Sequence, residues 1–142
     1  MAVTKTYDPG QHFALFNNIQ ISGYADGSYI TVERMTDAFV SVAGAGGEVA
    51  RVRMRDRRGS VKFTLMASSP CNDLLSAVAA QDELDGSGIG PLSIRDGNGS
   101  TVATATNAWI KKLPSTEFSK DLPNREWELE CETLELTVGG NR

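Results

Sequence analysis

Residues 68–84 read SSPCNDLLSAVAAQDEL, the one stretch whose spacing predicts a helix in a chain that otherwise reads as strand. Ser69 is placed to act as N-cap through its hydroxyl, and Pro70 suits the first helical position, where a missing N–H costs nothing. Asp73 falls in the first turn, where the helix dipole favours negative charge. Cys71, Leu74, Leu75, Val78 and Ala79 share one side, so Leu74, Leu75 and Val78 are the expected core residues of a helix over about residues 70–84. The run Asp85, Gly86, Ser87, Gly88 stops it, because glycine enters the left-handed region that ends helices. One helix of about four turns cannot bury itself, so its partner must be a sheet.

Upstream, Val61, Phe63 and Leu65 alternate with Lys62 and Thr64 in the clearest strand, which runs straight into the helix. Before it, residues 36–58 form an extended hairpin: Phe39 to Val42 and Val49 to Met54 are joined by Gly44, Ala45, Gly46 and Gly47. Its return limb is basic, with Arg51, Arg53, Arg55, Arg57 and Arg58 within eight residues, the first four on one face of a strand. Such a limb either answers nearby carboxylates or makes an intermolecular contact.

Earlier still, Asn17 and Asn18 predict a tight turn between His12 to Phe16 and Ile19 to Ser22, while Ile30 and Val32 point a further strand at the core. Residues 1–10 read as a polar arm that orders only on a partner surface, and residues 139–142 as a loose tail. Downstream, Leu92 to Arg95 and Thr101 to Ile110 flank a DGNG turn. Trp127, Leu129 and Cys131 then alternate with Glu126, Glu128 and Glu130. Leu134, Leu136 and Val138 continue on the opposite parity, which requires a bulge or turn near Glu132 and Thr133. Together these predict a single mainly β domain over residues 1–142, a barrel or sandwich with one flanking helix and a protruding hairpin.

A chain of 142 residues can build its core without disulfides, metals or cofactors. Cys71 and Cys131 match no metal or redox spacing and read as buried thiols. The net charge of −4 argues against adhesion to nucleic acid. No apolar run approaches the roughly 20 residues needed to cross a bilayer, so no membrane anchor is expected. The opening MAVTKTYDPG lacks the apolar core of a secretory signal, which leads to the expectation of a cytoplasmic protein. His12 is the only histidine, which removes histidine clusters and makes a triad unsupported, and Gly86, Ser87 and Gly88 follow a helix with no Walker lysine. No catalytic residues are assigned. Trp109 and Trp127 read as core anchors.

Three blocks carry a resemblance: ISGYADGSYITVER (Ile21 to Arg34), GEVARVRMRDRRGSVKFTLMASSPCNDLLSAVAAQDELDGSGIGPLSIRD (Gly47 to Asp96) and AWIKKLPSTEFSKDLPNREWELE (Ala108 to Glu130). In order and spacing the chain resembles the tail tube proteins of contractile-tailed bacteriophages, fold relatives of the type VI secretion tube protein. The resemblance implies six-membered rings stacked into a hollow tube inside a sheath, with a baseplate and a tail terminator as further partners. DNA would pass through as non-adhesive cargo, and assembly would take place in the cytoplasm of the host bacterium. In such a tube the hairpin, through Gly44, Gly46, Gly47, Arg51, Arg53 and Arg55, is the expected ring-to-ring contact. Glu126, Glu128 and Glu130 are the candidate lumen residues. Alternatives are a single-ring terminator or adaptor, the tube of a phage-derived contractile particle without a head, and a lone β-sandwich that recognises a ligand.

Overall fold

The computed structural model describes residues 4–141. In chain order the strands are β1 (His12–Phe16), β2 (Ile19–Gln20), β3 (Ile30–Arg34), β4 (Phe39–Ala43), β5 (Val49–Arg53) and β6 (Gly59–Met66). After helix α1 (Cys71–Asp85) come β7 (Gly90–Asp96), β8 (Val102–Lys112), β9 (Asn124–Cys131) and β10 (Glu135–Thr137). One sheet runs in the order β2-β1-β7-β8-β9-β6-β3, with β10 beside β8, and β4 pairs only with β5. No ladder joins β2 to β3, so the sheet curves without closing into a barrel. The β1 and β3 ends are instead bridged by a hydrogen bond between His12 Nδ1 and the Tyr29 hydroxyl, which itself donates to the Pro9 carbonyl (2.7 Å).

The pairing of β6 with β9 sets the core. Val61 lies opposite Leu129 and Phe63 opposite Trp127, so both apolar rows turn to the same side. With Phe16, Leu65, Leu75, Leu92, Cys131 and Leu134 they form the fully buried centre. Between β9 and β10 the chain kinks at Glu132 and Thr133, where the change of parity requires it, and the Glu132 N–H donates to the Asn107 carbonyl (3.0 Å). Gly59 opens β6 under Leu134: a Cβ there would lie 2.3 Å from Leu134 Cδ2, so only glycine fits.

Helix α1 buries Cys71, Leu75 and Ala79, and Val78 packs partly against the core. Leu74 is a correction, being 51% exposed. Adjacent residues on a helix point about 100° apart, so Leu74 and Leu75 cannot both centre on one contact line. Ser69 serves the helix start from one residue further out than expected. Pro70 is the capping residue, and the Ser69 hydroxyl accepts from the Cys71 N–H (3.3 Å) while donating to the Ser22 carbonyl (2.7 Å). Gly86 ends the helix at φ 76°. Trp127 Nε1 donates to Asn72 Oδ1 (2.9 Å), tying the helix start to β9.

The described part of the amino-terminal arm is held by its own domain rather than free. Asn98 and Asp8 exchange two hydrogen bonds (3.0 and 2.7 Å), and Asp8 caps a 3-10 turn at Pro9–Gln11. Residues 139–141, expected loose, lie along the β7–β8 turn, with Gly139 and Thr101 bonded reciprocally. Residues 1–3 and 142 of these two calls fall outside the described residues.

Replacing Leu75 with alanine removes a fully buried side chain and is expected to cost about 2–5 kcal/mol. Leu74→Ala should stay within about 0.5 kcal/mol of the parent. Urea unfolding of the two variants checks the assignment, and equal losses would mean that both leucines are core.

Candidate assembly surfaces

The β4–β5 ribbon stands apart from the core, with every residue of both strands exposed. Its register, Val40 opposite Val52 and Val42 opposite Ala50, collects those side chains on one face. The other face carries Phe39, Ser41, Arg51 and Arg53, and the Arg51 guanidinium sits 4.1 Å from the centre of the Phe39 ring. The tip turns through Gly44 to Gly47, with the Gly47 N–H donating to the Gly44 carbonyl (3.1 Å) and Gly47 at φ 89°.

Only Arg51 and Arg53 of the arginine run lie in the strand, because β5 ends at Arg53. Arg55 and Arg57 follow in irregular, exposed chain. Arg58 is already engaged: it forms a paired contact with Asp56 (both N–O distances 2.9 Å) and reaches Glu130 (3.5 Å). That guanidinium holds the half-buried Asp56 carboxyl below its usual range. At the root of the ribbon the Leu134 N–H donates to the Arg57 carbonyl, and Arg34 Nη2 donates to the Leu134 carbonyl, both at 2.9 Å.

Glu126, Glu128 and Glu130 share the face of β9 opposite the core. Each faces a cation of the same chain: Lys62 with Glu126 and Lys111 with Glu128, both at 3.8 Å, and Arg58 with Glu130. That face is therefore a lattice of both signs, not a bare row of carboxylates. Such exposed pairs contribute about 0–1 kcal/mol each.

Sequence reasoning missed two surfaces. Phe13 and Leu15 point away from the core on β1, about half exposed; the strict alternation with buried Ala14 and Phe16 was the available signal. Helix α1 is acidic, with Asp73 opposite the buried line, Glu83 and Asp85 exposed on its flanks, Asp82 half-buried on the Leu75 side, and no lysine or arginine in the helix. A cleft of about 540 Å³ lies between β3 and the β7, β8 and β10 strands, lined by Tyr7, His12, Tyr29, Val32, Ile94 and Leu136. His12 Nε2 lies 3.4 Å from Asp96, but its other nitrogen is spent on Tyr29, so the pair reads as a bridge across the sheet opening. No group of three or more histidine, cysteine, aspartate or glutamate side chains suited to a metal occurs among the described residues.

The model of the bacteriophage PhiTE tail tube protein family matches residues 9–139, which takes in the ribbon, the β9 face and helix α1. The chain belongs to that family. Its role is accordingly structural, as a component of a phage tail tube. Structural protein ORF10 of Pseudomonas phage KPP10 is 25% identical to this tail tube protein over 98% of the present chain and 85% of its own. The fold is shared with the tube terminating cap of the anti-feeding prophage, at a TM-score of 0.67 and 11% identity over 97% of this chain and 95% of that one. It is shared too with a chain of the PVC sheath-tube complex of an extracellular contractile injection system, at a TM-score of 0.58 and 11% identity over 94% and 92%.

Both cysteines of the tail tube protein are buried and reduced. Burial, with the charge of Glu130 adding, pushes the Cys131 thiol from 9.0 up to about 11. Burial likewise pushes the Tyr24 hydroxyl from 10.0 up to about 12. Both groups are neutral in the fold, and their raised values mean that unfolding releases protons more readily. Their stabilising contribution is complete below about pH 9 and is lost as pH rises through about 11 for Cys131 and about 12 for Tyr24. Urea midpoints should therefore fall across that window, and a thiol reagent should find neither cysteine until the protein unfolds. Rapid labelling of the native protein would contradict the buried placement.

Proposed function

We propose that this tail tube protein forms six-membered rings that stack into a hollow tube, assembled in the cytoplasm of the host bacterium inside a contractile sheath. A baseplate would seat the tube, a terminator would close it, and DNA would pass through without adhering. The observation that carries this reading is the β4–β5 ribbon. Two strands with both faces in water are marginal alone, and this ribbon exposes Val40, Val42 and Val52 on one side and Phe39, Val49, Arg51 and Arg53 on the other. A neighbour in the next ring would cover what the monomer leaves open. Electron microscopy of concentrated purified protein should show long tubes, and removal of Gly44 to Gly47 should abolish them while leaving the monomer folded. Tubes unaffected by that deletion would return the ribbon to a solvent-exposed role.

A second reading, a single ring that terminates a tube, is favoured by the TM-score of 0.67 to a tube terminating cap. Isolated rings in the same micrographs, at every concentration, would select it.

We place the β9 outer face, with Glu126, Glu128 and Glu130, on the bore. Zipped with Lys62, Lys111 and Arg58, it would present DNA with alternating sign and little net attraction. Replacing all three glutamates with glutamine keeps the shape and leaves the cations uncompensated. Tubes should still form, and DNA release should become slow and salt-dependent. Failure to form tubes would assign these carboxylates to a contact between subunits.

A further inference from the structure

Residues 36–58 hold five arginines against three carboxylates, whereas α1 holds four carboxylates and no cation. Arg58 apart, these charges are not paired with each other within the chain: among the described residues, no salt bridge engages Arg51, Arg53, Arg55 or any carboxylate of α1. The helix also breaks a local rule. Asp82, Glu83 and Asp85 crowd its carboxyl-terminal end, where the dipole is negative and a cation is favoured. Asp82 and Asp85 accept backbone N–H groups of the following turn, but Glu83 makes no such bond. Local conflicts of this kind are retained where something outside the chain resolves them.

We infer that the arginine face of the β4–β5 ribbon docks on the outer side of α1 of a second copy. This rests on the tube reading and specifies what the ribbon meets. The helix turns Cys71, Leu75 and Ala79 inward, so Asp73, Ala77, Ala80 and Leu84 run along the opposite side, all exposed. Ala77 and Ala80 make that side low enough for a flat ribbon to approach. Asp73 stands at one end of this track, and Glu83 flanks it at the other beside Leu84, which is 80% exposed. Arg51 and Arg53 stand about 6.7 Å apart on one strand, against roughly 15 Å between Asp73 and Glu83 along the helix, so each long arginine side chain reaches toward its own end of the track. The Phe39 ring holds the Arg51 head in place before docking, which lowers the ordering cost, and offers an apolar surface to Leu84.

Charge exchange tests the pairing. The variant R51E/R53E and the variant D73R/E83R should each stay monomeric where the parent forms tubes, and the variant carrying all four changes should regain tubes. Thermal unfolding of each monomer controls for folding, and E83R alone complements the dipole and should leave the fold intact. As a second measure, Ser41→Cys with Ala80→Cys in one chain should give a ladder of cross-linked oligomers on oxidation, since Cys71 and Cys131 are buried. Single reversals that assemble like the parent, a combined variant that stays monomeric, or the absence of a ladder would each overturn the pairing. In those cases parent tubes lost on deleting Gly44 to Gly47 would leave the tube reading standing. A parent that never self-associates would overturn both.

Discussion

The antiparallel register of β6 on β9 is the constraint from which the other surfaces follow. Phe63 opposite Trp127 and Val61 opposite Leu129 commit both strands to one inner side. A slip of one residue would put Glu126, Glu128 and Glu130 into the core and Trp127 into water. The buried indole then holds α1 through Asn72, whose amide also reaches the Met66 carbonyl (2.9 Å), so strand, helix and connecting turn are joined around one side chain. The same register decides the opposite face, where Lys62 on β6 comes within reach of Glu126 on β9.

Charge is sorted over this frame in two ways. On the β9 face opposite signs alternate and close on each other within the chain. On the ribbon and on the helix each sign is collected by itself. Segregation of this kind raises self-repulsion in a free subunit and favours contact between unlike patches on different subunits.

Much of this was legible in the sequence, because periodicity reports which side of an element is apolar. The alternation in β6 and β9, the kink at Glu132 and Thr133 and the two-asparagine turn, with Asn17 at φ 49° and Asn18 at φ 65°, all stand in the fold. The tail tube family was legible too, from the order of its sequence blocks. What periodicity does not carry is a partner distant in the chain. Asp8 meets Asn98 across 90 residues, so the described part of the arm is held where the sequence suggested it was free, and Arg58 finds Glu130, a carboxylate that periodicity could not name. Closure of the sheet was equally hidden, since it depends on whether β2 and β3 meet. The stripe on α1 was drawn too wide by one leucine, because a helix resting on a curved sheet touches it along a narrow line.

Leu134 ties two regions that would otherwise be independent. Its side chain fills the space above Gly59 in the core, while its backbone N–H and carbonyl grip Arg57 and Arg34, the residues at the two roots of the ribbon. The ribbon is thereby a cantilever clamped at its base. A sideways load at the glycine tip is delivered as torque to the best-packed part of the molecule, where close packing leaves little give. Displacement should be greatest at the tip, while the angle at which the ribbon leaves the domain stays fixed.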